Sequence, residues 1–116
     1  MSTVVFGIKN CDTVKKARRW LDSQAIAYEF VDVREQQPTA QQIHTWIDAL
    51  GLDTVVNRRS TTYRQLPPEQ QQSTDIASWV RAIQDQPTLI KRPLLEYQQQ
   101  FHCGFKEPQY KELFNV

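Results

Sequence analysis

The chain of 116 residues holds three glycines, Gly7, Gly51 and Gly104, and two cysteines, Cys11 and Cys103. Three scattered glycines cannot build a glycine-rich phosphate loop, so the Walker and dinucleotide-binding fingerprints are excluded. Two cysteines without a CxxC spacing supply neither a disulfide framework nor a four-ligand zinc site, and no metal site is expected. No apolar run approaches the roughly 20 residues of a membrane span. Met1–Phe6 lacks the basic and apolar regions of a signal peptide. The expected compartment is therefore the cytoplasm, with no membrane partner. An excess of one charge is missing as well: 14 Lys and Arg face 13 Asp and Glu, for a net charge of +1. Nothing in that balance drives the chain toward nucleic acid, and no direct nucleic-acid partner is expected. The length suits one domain over residues 1–116.

What is present is an ordered alternation of patterns. Thr3–Ile8 is a short apolar, β-branched run of the length of a buried strand. After the polar break Lys9-Asn10-Cys11-Asp12, the segment Thr13–Gln24 turns helical, with Val14, Ala17, Trp20 and Leu21 on one stripe and Lys15, Lys16, Arg18 and Arg19 elsewhere. Ala27–Val33 alternates with period two and reads as a second strand, parallel to the first. Thr39 is the expected N-cap of a helix with Ile43, Trp46, Ile47 and Leu50 inward, ended by Gly51. Val55–Thr62 reads as irregular, and Leu66-Pro67-Pro68 as a break. Ser73 or Thr74 is expected to cap a helix reaching about Gln84. Leu94–Glu96 and Phe101–Cys103 form an expected hairpin around Tyr97–Gln100, and Glu107–Phe114 a terminal helix with Pro108 in its first turn. The order is βαβ, a helical block, then ββα. This is an α/β chain with a thioredoxin-like layout: a core of about 1–34 and 87–116, and a helical insertion of about 35–86.

Cys11 stands where a buried strand meets a helix N-terminus. The unpaired N–H groups and positive dipole end there favour an anion, and a thiolate is one. Lys9 precedes it and Lys15 follows one turn later. Each cation near a helix N-terminus costs a few tenths of a kcal/mol, which points to a use in holding a thiolate or an anionic substrate. Cys103 reads either as a core residue or as a resolving thiol for Cys11. His102 beside it points to the other face of its strand, so the two do not share a metal. His44 reads as a surface residue. Arg58 and Arg59 have no apolar periodic role and are either solvated charges or site residues. Pro93 after Arg92 starts a strand, in either the trans or the cis form.

The segments VFGIKNCDTVKKA (Val5–Ala17), VNRRSTTYRQL (Val56–Leu66), LIKRPLL (Leu89–Leu95) and GFKEPQYKEL (Gly104–Leu113) together resemble the ArsC family, in its YffB and Spx-like branch. The resemblance implies a thioredoxin-like fold with a helical insertion and a redox nucleophile at Cys11. It implies that Arg92, Arg59 with the adjacent Arg58, and Lys106 surround a bound anion, and that Pro93 is cis. Two departures stand out. Gly7-Ile8-Lys9-Asn10 replaces the His-Asn-Pro stretch of arsenate reductases, and a lysine at 106 lacks the planar fork of the family's arginine. Val14 occupies the place of the second cysteine in the Spx-type CxxC. The resemblance therefore implies a monothiol, glutathione-dependent reductase. Cys11 is its nucleophile, and Lys9, Asn10, Lys15, Arg58, Arg59, Arg92, Pro93 and Lys106 bind substrate or glutathione. Glutathione is then a co-substrate rather than a bound cofactor, and glutaredoxin a further partner. The alternatives are a non-enzymatic regulator that binds RNA polymerase, and a glutaredoxin-coupled arsenate reductase.

Overall fold

The computed structural model describes residues 3–116. Met1 and Ser2, which belong to the stretch that lacks signal-peptide features, lie outside the described residues. No helix among them is long and apolar enough to cross a membrane. The chain divides into two compact units, one made of the segment ending at Asp32 together with Arg92–Val116, the other of Val33–Lys91.

The first unit is built on a four-stranded sheet of order β2-β1-β3-β4. Its strands are β1 (Thr3–Gly7), β2 (Glu29–Asp32), β3 (Leu94–Tyr97) and β4 (Gln100–Cys103). β1 and β2 are parallel, joined through helix α1 (Asp12–Ser23), whereas β3 pairs antiparallel with both β1 and β4. The second strand is shorter than its period-two pattern suggests, and the first helix starts at Asp12 with Cys11 as its N-cap. The α1 stripe falls as expected: Val14, Ala17, Trp20 and Leu21 are buried. Ala17, Trp20 and Leu21 pack with Val5, Leu95 and Tyr110 into the core of this unit. Tyr110 comes from the terminal helix, numbered last below, and stands edge-on to Trp20 at 5.7 Å between ring centroids. Such edge-to-face pairs add about 0.5–1.5 kcal/mol beyond the area they bury.

The second unit is helical. Helix α2 (Ala40–Leu50) begins with a reciprocal capping box, in which the Gln42 N–H donates to Thr39 Oγ1 at 3.1 Å and the Thr39 N–H to Gln42 Oε1 at 3.0 Å. Three one-turn helices follow, α3 (Leu52–Val55), α4 (Thr61–Arg64) and α5 (Pro68–Gln71); α3 ends and α4 begins inside the Val55–Thr62 stretch that reads as irregular, and α5 starts at the Leu66-Pro67-Pro68 break. One turn is too short to display a 3.6-residue period. Helix α6 (Ile76–Asp85) buries Trp79, Val80 and Ile83, and a 3₁₀ turn covers Pro87–Leu89. Its N-cap is Asp75 rather than Ser73 or Thr74. Ser73 is already engaged, its Oγ accepting from the Asp75 N–H at 3.1 Å and its carbonyl from Trp79 Nε1 at 2.8 Å.

Back in the first unit, the hairpin turn is two residues long, with Gln98 and Gln99 both at positive φ (53° and 65°). Helix α7 (Glu107–Phe114) closes the chain, with Lys106 as its N-cap and Pro108 in its first turn.

Candidate functional site

Strand register gathers the chemistry of the first unit at one end of its sheet. Gly7 of β1 pairs with Asp32 of β2, Phe6 with Leu94 of β3, and Leu94 in turn with Cys103 of β4. The turn carrying Lys9, Asn10 and Cys11, the Arg92–Pro93 step and the Cys103–Gly104 corner therefore all leave the sheet at the same end. Helices α1 and α7 both begin there, so two sets of unpaired backbone N–H groups start from this end.

Local packing explains how Cys11 comes to stand at the start of α1. A Cβ on Gly7 would lie 2.8 Å from Val14 Cγ2 and 3.0 Å from Cγ1, so only glycine lets α1 approach the end of β1 this closely. Cys11 has extended backbone angles (φ −103°, ψ 124°), and its carbonyl accepts from the Lys15 N–H at 3.0 Å. Its side chain is half-buried, makes no capping hydrogen bond and is in no disulfide. The Lys9 N–H donates to Oδ2 of Asp32, a carboxylate only 9% exposed, at 3.3 Å. Sequence reasoning passes over Asp32, although it falls on the same parity of its strand as Tyr28 and Phe30.

On the opposite flank, the Arg92–Pro93 peptide bond is cis, as the resemblance implied. Pro93 is buried, and its carbonyl accepts from the Gly104 N–H at 2.9 Å. Gly104 has φ +81°, a conformation that side chains with a Cβ rarely adopt, and this lets the chain turn from β4 toward α7. Arg92 is half-buried, while Lys9, Asn10, Lys15 and Lys106 are exposed.

Arg58 and Arg59 belong to the other unit, in the turn before α4. Arg58 is engaged there. Its Nη2 donates to Asp53 Oδ1 at 2.6 Å and its Nη1 to Tyr63 Oη at 2.9 Å, with the guanidinium 5.5 Å from the Tyr63 ring centroid. The bond to Asp53 is the main cause that holds its pKa above the ordinary arginine value, against some opposing burial. The pair is exposed, so it orients Arg58 and contributes at most about 1 kcal/mol to stability. Arg59 is exposed, and its guanidinium has no hydrogen bond or ion pair among the described residues.

Cys103 sits two strand spacings, roughly 10 Å, from the Phe6 position of β1. It is half-buried. Burial pushes the Tyr110 phenol well above its ordinary range, and the charge of nearby Cys103 adds to this. His102 pairs with Leu95, which places it on the face bearing the aromatic core, and burial holds its imidazole below the ordinary value. His44 is exposed, as expected. Among the described residues no group of three or more His, Cys, Asp or Glu is placed to hold a metal ion.

The chain is matched by the model of the ArsC family over residues 6–113. A YFFB protein of solved structure is 38% identical, with a TM-score of 0.91 over 97% of this chain and 98% of its own. An arsenate reductase (ArsC) related protein from Brucella melitensis is 37% identical, with a TM-score of 0.78 over 100% of this chain and 97% of its own. The global transcriptional regulator Spx of Staphylococcus haemolyticus is 25% identical over 92% of this chain and 82% of its own. The fold is thus the α/β, thioredoxin-like one that the sequence implied.

Proposed function

Because the chain belongs to the ArsC family, we propose that it is a glutathione-dependent monothiol reductase with Cys11 as its nucleophile. The observation that carries this reading is the setting of Cys11. It is a half-buried N-cap with no capping bond of its own, and the place of a second CxxC cysteine is taken by Val14, fully buried against Gly7.

The cycle has two exchanges. The Cys11 thiolate attacks the glutathione sulfur of a mixed disulfide R–S–S–G, the S–S bond breaks, and R–S⁻ leaves as a thiolate. A glutathione thiolate then attacks the glutathione sulfur on Cys11, releasing oxidised glutathione and restoring the Cys11 thiolate. Lys9 and Lys15 favour the anion at Cys11. Arg92 and Lys106 hold the carboxylates of glutathione or of an anionic substrate, Asn10 lines the turn beside the thiol, and Pro93 walls it. Arg58 is a support for its own turn, since its guanidinium is already shared between Asp53 and Tyr63.

Mass spectrometry after mixing the protein with oxidised glutathione tests the cycle. One glutathione on Cys11, absent in Cys11→Ser, supports it, whereas a Cys11–Cys103 disulfide would replace it with a dithiol cycle. Iodoacetamide is expected to label Cys11 faster than Cys103 at pH 6.5, and slow, equal labelling of both would sink the reading. The likeness to Spx favours a second reading, a regulator that binds RNA polymerase. Retention of polymerase subunits by wild type and Cys11→Ser alike would decide for it. Arsenate turnover with glutathione and glutaredoxin, lost in Cys11→Ser, would decide for an arsenate reductase.

A further inference from the structure

The two edges of the four-stranded sheet are not alike. Its outer strands are β2 and β4. β2 carries two carboxylates, Glu29 and Asp32. In contrast, no Lys, Arg, Asp or Glu stands between Glu96 and Lys106, the stretch that contains β4. The ladder between β3 and β4 runs unbroken from Leu94–Cys103 to Tyr97–Gln100, so no bulge twists this edge away, and β4 holds no proline. Charge, bulges and proline keep strand edges from pairing with other chains, and β4 has none of them. The Gly104 N–H reaches the Pro93 carbonyl across the same ladder. Inward and outward backbone groups alternate along an antiparallel strand, which turns the N–H and C=O of Phe101 to the open side. Neither has a partner among the described residues. Helix α7 follows this edge. It begins shortly after β4, and the ring of its Phe114 lies 4.4 Å from that of Tyr97, which pairs with Gln100 at the other end of β4. Phe105, Leu113 and Phe114 are half-buried there.

We infer that β4 is the contact between two copies of this chain, joined edge to edge about a two-fold axis so that their four-stranded sheets become one. Such pairing is antiparallel and sets a strand against itself, so a charge on it is brought toward its own like. β4 brings none. The whole chain carries a net charge of only +1, which leaves little long-range repulsion between copies. An uncharged edge has nothing with which to select an acidic or a basic partner, whereas a second copy matches it by symmetry. The pairing also closes. Both outer edges of the joined sheet are then β2 strands, where the exposed Glu29 repels a further copy. Pairing along a strand this short falls short of the roughly 800 Å² per partner of a standard interface, and the half-buried Phe105, Leu113 and Phe114 extend it with apolar area. The dimer is therefore weak and reversible. It makes no use of Cys11 and stands apart from the proposed reduction.

Sedimentation equilibrium of the full chain tests this, with dithiothreitol present and at about 10 μM to about 1 mM, the range of weak association. The expected result is a dimer whose share rises with concentration, and no larger species. Amide exchange read by NMR is expected to slow at Phe101 over the same range, with the β2 amides unchanged. Gln100→Lys puts a cation on an exposed residue of the edge and is expected to weaken association roughly tenfold, with circular dichroism unchanged. Phe101→Pro removes the outward N–H without touching the β3 ladder and is expected to abolish the dimer. If Phe101→Pro does not fold, Gln100→Lys decides alone. A wild type that stays monomeric at 1 mM would overturn the inference, as would equal association of wild type and Gln100→Lys. Larger species, or slowed exchange on β2 in place of β4, would do the same. A monomer whose Phe101 amide is protected only by an added uncharged, valine-rich extended peptide would assign the edge to a foreign strand instead.

Discussion

The backbone N–H of Lys9 donates to Oδ2 of Asp32, joining the turn that leads into Cys11 to the last residue of the neighbouring parallel strand. A buried carboxylate used in this way both anchors the turn and places a negative charge close to the proposed thiolate. The two effects separate by mutation. Asp32→Ala removes the acceptor and is expected to lower stability by about 1–3 kcal/mol in urea unfolding. Asp32→Asn keeps an acceptor oxygen and is expected to retain most of that stability. It is also expected to label faster with iodoacetamide at pH 6.5, because a carboxylate charge beside the turn has gone. Slower labelling in Asp32→Asn than in wild type would contradict this account.

Gly7 and Val14 set the approach of α1 to β1. Gly7→Ala puts a methyl group 2.8 Å from Val14 Cγ2 and is expected to cost about 1–3 kcal/mol as helix or strand shifts. Because the shift falls at the first turn of α1, the glutathione adduct on Cys11 is expected to form more slowly as well. Gly7→Ala combined with Val14→Ala relieves the contact. The pair is expected to be less destabilised than the sum of its single changes, measured as a double-mutant cycle.

Tyr110 is fully buried, and its hydroxyl has no hydrogen-bond partner among the described residues. Its ring does the packing, against Trp20, Phe105 and Phe114. Tyr110→Phe keeps those contacts and removes an unsatisfied polar group, so thermal unfolding is expected to show equal or higher stability, by about 1 kcal/mol. The phenol's value is raised in the folded chain, so ionisation at high pH favours unfolding. Stability is expected to fall above about pH 10 in the wild type, and less so in Tyr110→Phe.

His102 titrates below the ordinary imidazole value of 6.5 because burial disfavours its cation. The unfolded chain therefore takes up a proton more readily than the folded one. Stability present above pH 6.5 is lost progressively as the pH falls below it. His102→Phe is expected to flatten the stability profile just below pH 6.5, above the carboxylate range near about pH 4. Urea unfolding at a series of pH values reads this directly, and an unchanged slope in the variant would show that other groups control it.

Much of the architecture is legible in one dimension because it rests on periodicity and local chemistry. The Val14–Ala17–Leu21 stripe, the Thr39 cap and the order of strands and helices are properties of neighbouring residues. What escapes are features with no period or with competing partners. The helices α3, α4 and α5 are single turns. Ser73 looks like a cap, yet it bonds Asp75 and Trp79 instead. The Gln98-Gln99 turn has positive φ at both residues without the Asn or Gly that usually marks such a turn.

For the site, the sequence alone determined its candidate nucleophile, its lack of a CxxC partner and the cations flanking Cys11, because these depend on which residues are adjacent along the chain. Only the tertiary structure decided that Asp32, Arg92–Pro93 and the start of α7 share the sheet end from which Cys11 emerges. Strand register is set by pairing between distant segments, and no local pattern encodes it. Tertiary packing likewise decided that Arg58 is held by Asp53 and Tyr63 while Arg59 is not, a distinction invisible between two adjacent arginines. The opening scarcity of glycine acquires its meaning in the same way. Gly7 is required by the side chain of Val14 packed against it, and Gly104 by a left-handed corner between β4 and α7.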